Sequence, residues 1–164
     1  MILTKISKEF YINILIASVI FIIDRVTKLY VINLDKFNSG IEIFTSSFVN
    51  IILIWNRGAA FGLFSFNEGN LYNIFSGFIS IVILIVLIMV FKSRGFKRLA
   101  FLMVFGGAIG NFYDRIIYKA VPDFIDFHVG NFHWFIFNVA DVFITIGVLC
   151  LILIELFYKN YENE

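Results

Sequence analysis

"LYNIFSGFISIVILIVLIMVF", residues 71–91, contains no charged side chain. A helix needs about 20 mainly apolar residues to cross the hydrocarbon core of a bilayer. The stretch therefore predicts a transmembrane helix, and the composition agrees. Of the 164 residues, 60% are hydrophobic, 19% aromatic and 15% charged, against about 45–50% apolar and 25% charged in soluble domains. One proline and 22 phenylalanines argue against disorder. A net charge of +1 offers no basic patch for nucleic acid. Cys150 is the only cysteine, so no internal disulfide forms, and a lone thiol in an apolar run reads as a small core residue.

Three further spans are expected around this one: about 10–32, 99–118 and 138–157. Lys5 and Lys8 before the first apolar run resemble the start of a cleaved leader. No small-x-small cleavage site follows, however, and "DRVTK" (24–28) continues the helix. Lys5 and Lys8 precede the first span, and Lys92, Arg94, Lys97 and Arg98 crowd the link after the second. The positive-inside rule then puts these segments and both termini in the cytoplasm. The connections 33–70 and 119–137 face outward, and Asp24, Arg25, Lys28, Asp114, Arg115 and Asp141 all fall at the outer helix ends.

The expected architecture is a single membrane domain over 1–164, with four transmembrane helices and a small β-rich region on the outer surface, about 36–66. "GIEIF" (40–44) alternates apolar and polar residues, and "FVNIILIW" (48–55) is rich in β-formers. "FIDFHVGNFHWFIF" (124–137) has strand-like stretches on either side of a Gly130-Asn131 turn.

Asp123, after Pro122, and Asp141, opening the last helix, are the leading candidates for chemistry. Two carboxylates held close together do not both ionise cheaply, so one keeps its proton near neutrality. One would take a proton from water while the other donates to a carbonyl oxygen. The competing reading is two separate interfacial aspartates, solvated or capping helices. Gly107, Asn111 and Arg115 recur at i, i+4 and i+8 on one helix face, and Asp114 adjoins that stripe. Arg115 would pair with Asp24 or with one of the two leading aspartates; alternatively it belongs to a structural ion pair, and "GGAIG" only allows close helix packing. Asp24 and Lys28 form an i, i+4 pair suited to ordinary interfacial anchoring. "NRGAAFG" (56–62) offers an amide and small residues before the second span.

No metal site is expected. His128 and His133, five apart, fit no helical H-E-x-x-H pattern, and on one strand they would point to opposite faces. G-x-S-x-G, Walker and G-x-G-x-x-G motifs are absent.

Taken in order, "DRVTK", "NRGAAFG", "GGAIGNFYDRI" (106–116), "VPDFIDF" (121–127) and "FNVADVFI" (137–144) resemble the lipoprotein signal peptidases (signal peptidase II), intramembrane aspartic peptidases of bacteria. The resemblance covers nearly the whole chain. It implies four transmembrane helices, cytoplasmic termini, an outer β-cradle and a catalytic pair, Asp123 and Asp141. Asn56, Asn111, Arg115 and Asn138 match the polar positions that shape the site; Asp24, Lys28 and Asp114 match further motif positions, structural or substrate-orienting. Arg25 stands where glutamine is usual, Lys119 where glycine is common and Val142 where serine is frequent. The implied function is removal of signal peptides from diacylglyceryl-modified prolipoproteins, N-terminal to the modified cysteine. No cofactor is implied. The expected setting is the bacterial inner membrane, with the site near the outer face, membrane lipid around it and a monomeric chain. The alternative from another class is a small four-helix proton-coupled transporter subunit or membrane assembly factor. A transporter would spread its ionisable groups toward the midplane, whereas here they gather at one boundary.

Overall fold

An apolar stretch leaves its backbone N–H and C=O groups little to bond except each other, so the long apolar runs fold as helices. The computed structural model describes residues 8–38, 42–58 and 69–161. In chain order the elements are α1 (Lys8–Asn38), β1 (Val49–Asn56), α2 (Gly69–Lys92), α3 (Gly95–Tyr118), β2 (Val121–Val129), β3 (Phe132–Phe137) and α4 (Val139–Tyr161). Lys5 and residues 59–62 of "NRGAAFG" lie outside the described residues. The protein is thus mostly helical, with a small antiparallel sheet.

α1 runs six residues beyond the expected boundary at 32, so 36–38 belong to a helix and not to the outer β-rich region. Nothing in "NLDKFN" (33–38) breaks a helix, and Lys36 in the last turn suits the negative end of the helix dipole. The strand expected in "GIEIF" is reduced, among the described residues, to one bridge between Phe44 and Ile51. The second connection folds as read: β2 and β3 form a hairpin around residues 130 and 131. Gly130 takes a φ of +58°, which glycine adopts at no steric cost. The sheet order is β1-β2-β3, so β2 is central and pairs on both edges.

Helix α3 packs against α1, α2 and α4. A Cβ on Gly107 would lie 2.5 Å from the Ala140 carbonyl oxygen, and one on Gly110 would lie 2.6 Å from Asp24 Oδ2. Only hydrogen at these two positions lets α4 and the Asp24 carboxylate approach α3 so closely.

Polarity is inverted relative to a soluble protein. Leu15, Tyr30, Ile74, Phe78, Leu153 and Leu156 face outward, while Asp24, Lys28 and Asp114 are wholly buried. Two helical segments among the described residues, Leu71–Lys92 and Val139–Phe157, are long and apolar enough to cross a membrane. α1 and α3 carry more charge, and in both helices much of it is turned inward.

Lys119 caps α3 in the left-handed conformation, with φ 56° and ψ 23°. This gives the physical reason for a glycine at the position: a Cβ in that region costs about 1–2 kcal/mol. Lys119→Gly should therefore raise the thermal unfolding temperature in detergent, with a gain of about 1 kcal/mol. An unchanged or lowered temperature would contradict the strain.

Candidate active site

Asn138 is the N-cap of α4 and Asp141 its third residue. The Asp141 N–H donates to Asn138 Oδ1 (3.2 Å), and the Asn138 N–H donates to Asp141 Oδ2 (3.1 Å). This reciprocal pair is the geometry of a capping box, built here from an amide and a carboxylate. The capping role weighed for Asp141 is therefore real, and it coexists with a second one. Asn138 Nδ2 also donates to Asp123 Oδ1 at 2.6 Å. One fully buried amide thus touches both aspartates.

Each carboxylate has a further amide donor. Asn56 Nδ2, at the end of β1, reaches Asp123 Oδ2 at 2.9 Å; Asn111 Nδ2, on α3, reaches Asp141 Oδ1 at 2.8 Å. The β1–β2 register sets Ile54 opposite Asp123 and Asn56 opposite Val121, which brings the Asn56 amide within reach of Asp123. Asp123 and Asp141 line a cavity of about 200 Å³ together with Asn56, Asn111 and Arg115. Ile79, Ala108, Val121 and Ile144 give it apolar walls. A larger cavity of about 550 Å³, lined by Ile14, Phe21, Leu102 and Phe105, has no titratable group to offer a hydrolysis.

Asp123 is only 4% exposed. Burial, then the charge of Asp141, pushes its pKa up to about 6, against the donated bonds of Asn56 and Asn138, which hold it down. The site therefore keeps a proton available in mildly acidic to near-neutral water.

Behind this pair lies a buried charge cluster. Lys28 Nζ donates to Asp24 Oδ2 (2.8 Å), Asn111 Oδ1 (2.7 Å) and Asp114 Oδ2 (2.8 Å), using all three of its hydrogens. Its bond to Asn111 Oδ1 fixes that amide so that its nitrogen faces Asp141. Asp24 Oδ1 accepts from the Ala140 N–H at 3.0 Å, anchoring the first turn of α4. Arg25 pairs with Asp114 and lies over the Tyr113 ring, 5.1 Å from its centroid. Two cations and two carboxylates balance. The expectation of an ordinary interfacial anchor for Asp24 and Lys28 is corrected: both side chains are 0% exposed.

Arg115 also departs from expectation. It reaches neither Asp24 nor the two leading aspartates as an ion pair among the described residues. It donates instead to the carbonyls of Asn111 (3.1 Å) and Gly58 (3.2 Å), tying α3 to the end of the β1 connection. Gly107 has a packing role, as described above. Thr145 was missed, although its place one turn after Asp141 puts it on the cavity wall. Tyr72, whose hydroxyl donates to the Arg115 carbonyl at 3.3 Å, left no signal in the sequence.

The histidine reading is corrected too. His128 and His133 lie on paired strands, directly opposite each other, so they share a face.

Lys28→Met should cost about 3–5 kcal/mol, because it strands two buried carboxylates with Arg25 alone. Thermal unfolding in detergent measures this, and a wild-type melting temperature would refute it. The second prediction concerns pH. Between its ordinary 3.8 and about 6, folded Asp123 binds more proton than the unfolded chain, so its contribution to stability falls as pH rises through that window. Asp123→Asn does not titrate. Its melting temperature relative to wild type should climb between about pH 4 and pH 7, by the equivalent of about 3 kcal/mol. A difference that stays flat with pH would remove the raised titration.

Comparison with known proteins accords with this arrangement. Residues 16–157 match the family described as signal peptidase (SPase) II. The lipoprotein signal peptidase of Pelagibacter ubique (strain HTCC1062) is 52% identical over 157 residues, 96% of this chain and 95% of that protein. That of Francisella tularensis subsp. novicida (strain U112) is 40% identical over 150 residues, covering 89% and 92%. A solved bacterial membrane enzyme superposes with a TM-score of 0.68 at 32% identity, over 93% of this chain and 90% of its own. A fold that turns its charges inward, a cavity lined by two aspartates and matches over nearly the whole length agree: the chain belongs to the signal peptidase II family of bacterial membrane proteases.

Proposed function

We propose that this protein cleaves signal peptides from diacylglyceryl-modified prolipoproteins, N-terminal to the modified cysteine, with Asp123 and Asp141 as an aspartic dyad. The observation that carries the reading is the shared cavity, in which Asn138 donates to both carboxylates, from its amide nitrogen to Asp123 and from its backbone N–H to Asp141.

The chemistry uses one proton shared by two acids. The ionised aspartate takes a proton from water, whose oxygen bonds to the scissile carbonyl carbon, while the protonated aspartate gives its proton to the carbonyl oxygen. In the second step the tetrahedral diol collapses. The C–N bond breaks, the leaving amine gains a proton from the aspartic acid formed in the first step, and the other aspartate recovers the diol proton. The roles exchange, so the titration belongs to the pair. Asn56, Asn111 and Asn138 hold the carboxylates without adding charge. Arg115 braces the α3 wall, and Asp24, Lys28 and Asp114, with Gly107, fix α1, α3 and α4 behind it.

In this reading all four helices cross the bacterial inner membrane, over about 10–32, 71–91, 99–118 and 138–157, within one domain spanning 1–164. The outward-facing aliphatic side chains of α1, α2 and α4 support it. The basic link 92–98 supports cytoplasmic termini and a site near the outer face. There the acyl chains of the substrate stay in lipid while the scissile bond enters the cavity. The enzyme acts as a monomer. The transporter alternative is not favoured, since the α2 stretch 71–91 has no ionisable relay group in its bilayer-long apolar run.

Asp123→Asn and Asp141→Asn should each remain inserted and folded but lose processing by at least about 1,000-fold. The assay incubates purified protein with a lipidated prolipoprotein and follows the mass loss of a signal peptide. Wild-type turnover in either variant would refute the dyad.

A further inference from the structure

The β2–β3 hairpin carries a second cluster of polar side chains, which the peptidase chemistry does not use. Along β2, Asp126 and His128 are two residues apart and point to the same, buried face, whereas Phe127 and Val129 point outward. The antiparallel register sets His133 of β3 opposite His128, and the two rings stack with centroids 5.0 Å apart. His133 Nδ1 lies 2.8 and 3.0 Å from the two Asp126 oxygens. One ligand atom from each of the three residues can be chosen so that all lie within 4.8 Å of one another.

We propose that Asp126, His128 and His133 bind a divalent transition-metal ion of the zinc type. The independent observation is His128 itself. It is only 9% exposed, and its Nδ1 is shut off from solvent with no hydrogen-bond partner. A buried imidazole nitrogen without a partner is costly, and a metal ion would satisfy it.

The donor set suits this class of ion. Two imidazoles and a carboxylate favour zinc and its first-row neighbours over magnesium or calcium, which prefer oxygen. With metal–ligand bonds of about 2.0–2.1 Å, tetrahedral donors lie roughly 3.4 Å apart. Drawing the cluster in from 4.8 Å also needs a turn of the His133 ring out of its stack on His128, because the in-plane lone pairs of near-parallel rings do not meet at one ion. His133, whose side chain is 53% exposed, is free to make this turn and leaves an entry path from solvent. Supporting contacts are present as well. Asn50 Nδ2 donates to Asp126 Oδ2 at 3.3 Å, orienting the carboxylate, and the backbone N–H of His128 donates to the Phe48 carbonyl at 2.9 Å, fixing the strand that carries the imidazole. Three protein ligands leave a fourth position to water. The ion would cross-link the hairpin whose first strand carries Asp123 and whose second leads directly to Asn138.

The test uses full-length, tag-free protein in detergent, stripped with chelator and titrated with zinc chloride alone by calorimetry, then with cobalt chloride as an optical probe. One zinc ion per chain is expected, with a visible cobalt spectrum of four-coordinate intensity. His133→Gln should weaken binding by more than about 10-fold and Asn50→Ala by about 10-fold. Because His133 is half exposed and a glutamine amide still offers Asp126 a donor, this variant should melt with the wild type, which separates lost ligation from lost folding. The proposal fails if the wild type shows no saturable binding. It also fails if the His128→Gln/His133→Gln double variant binds zinc as tightly as wild type. In the first case Asp126 and His133 form a hydrogen-bonded pair and nothing more.

Discussion

Three bonds from one ammonium group organise this protein. Lys28 has no access to solvent and exactly as many hydrogens as acceptors: Asp24 from its own helix, and Asn111 and Asp114 from α3. A buried charge is tolerable only when it is paired and every donor is used. That requirement locks α1 against α3 at a fixed rotation. Asp24 passes the constraint on to α4 through the Ala140 N–H, and Asn111 passes it on through its amide to Asp141. The proposed dyad thus inherits its geometry from a cluster that never meets substrate. Small residues along α3 make the arrangement possible, since a methyl group at Gly107 or Gly110 would strike Ala140 or Asp24.

Much of this was legible in the sequence because bilayer-long apolar runs announce themselves. The charge-free stretch 71–91 lies wholly within α2, and 138–157 contains all but the last turn of α4. Polar residues inside such runs stand out for the same reason, and Asp24, Lys28, Asn111, Asp114, Asn138 and Asp141 do converge. Less legible was anything that depends on how elements pair. Arg115 was expected to seek a carboxylate, yet two backbone carbonyls take it, and no spacing rule encodes that choice. The histidines looked divergent when counted along one strand. The hairpin turn between them reverses the chain and brings them face to face. The stretch 10–32 reads as a bilayer span and does not reveal that α1 continues to Asn38, because a helix runs on past its apolar stretch until something breaks it.

The alternatives for Asp141 were framed as capping or chemistry, and its surroundings make them compatible. As the third residue of α4 it closes the capping box; from the same position it lines the cavity that Asp123 also lines. A carboxylate at a helix N-terminus is stabilised by the dipole and by free N–H groups. This lets an acid sit at the head of an apolar helix at modest cost.

Asn138 draws these threads together, with consequences for resistance to inhibitors. Its amide oxygen starts a helix while its amide nitrogen holds Asp123. A compound that bonds to Asp123, Asn138 and Asp141 would engage side chains that also hold elements of the fold together. Escape by substitution at Asn138 would weaken the protein as well as its site, and substitution at either aspartate would remove half of the proposed dyad. Variation would be pushed outward, to apolar cavity walls such as Ile79 and Ile144, where a change of shape leaves the polar framework intact.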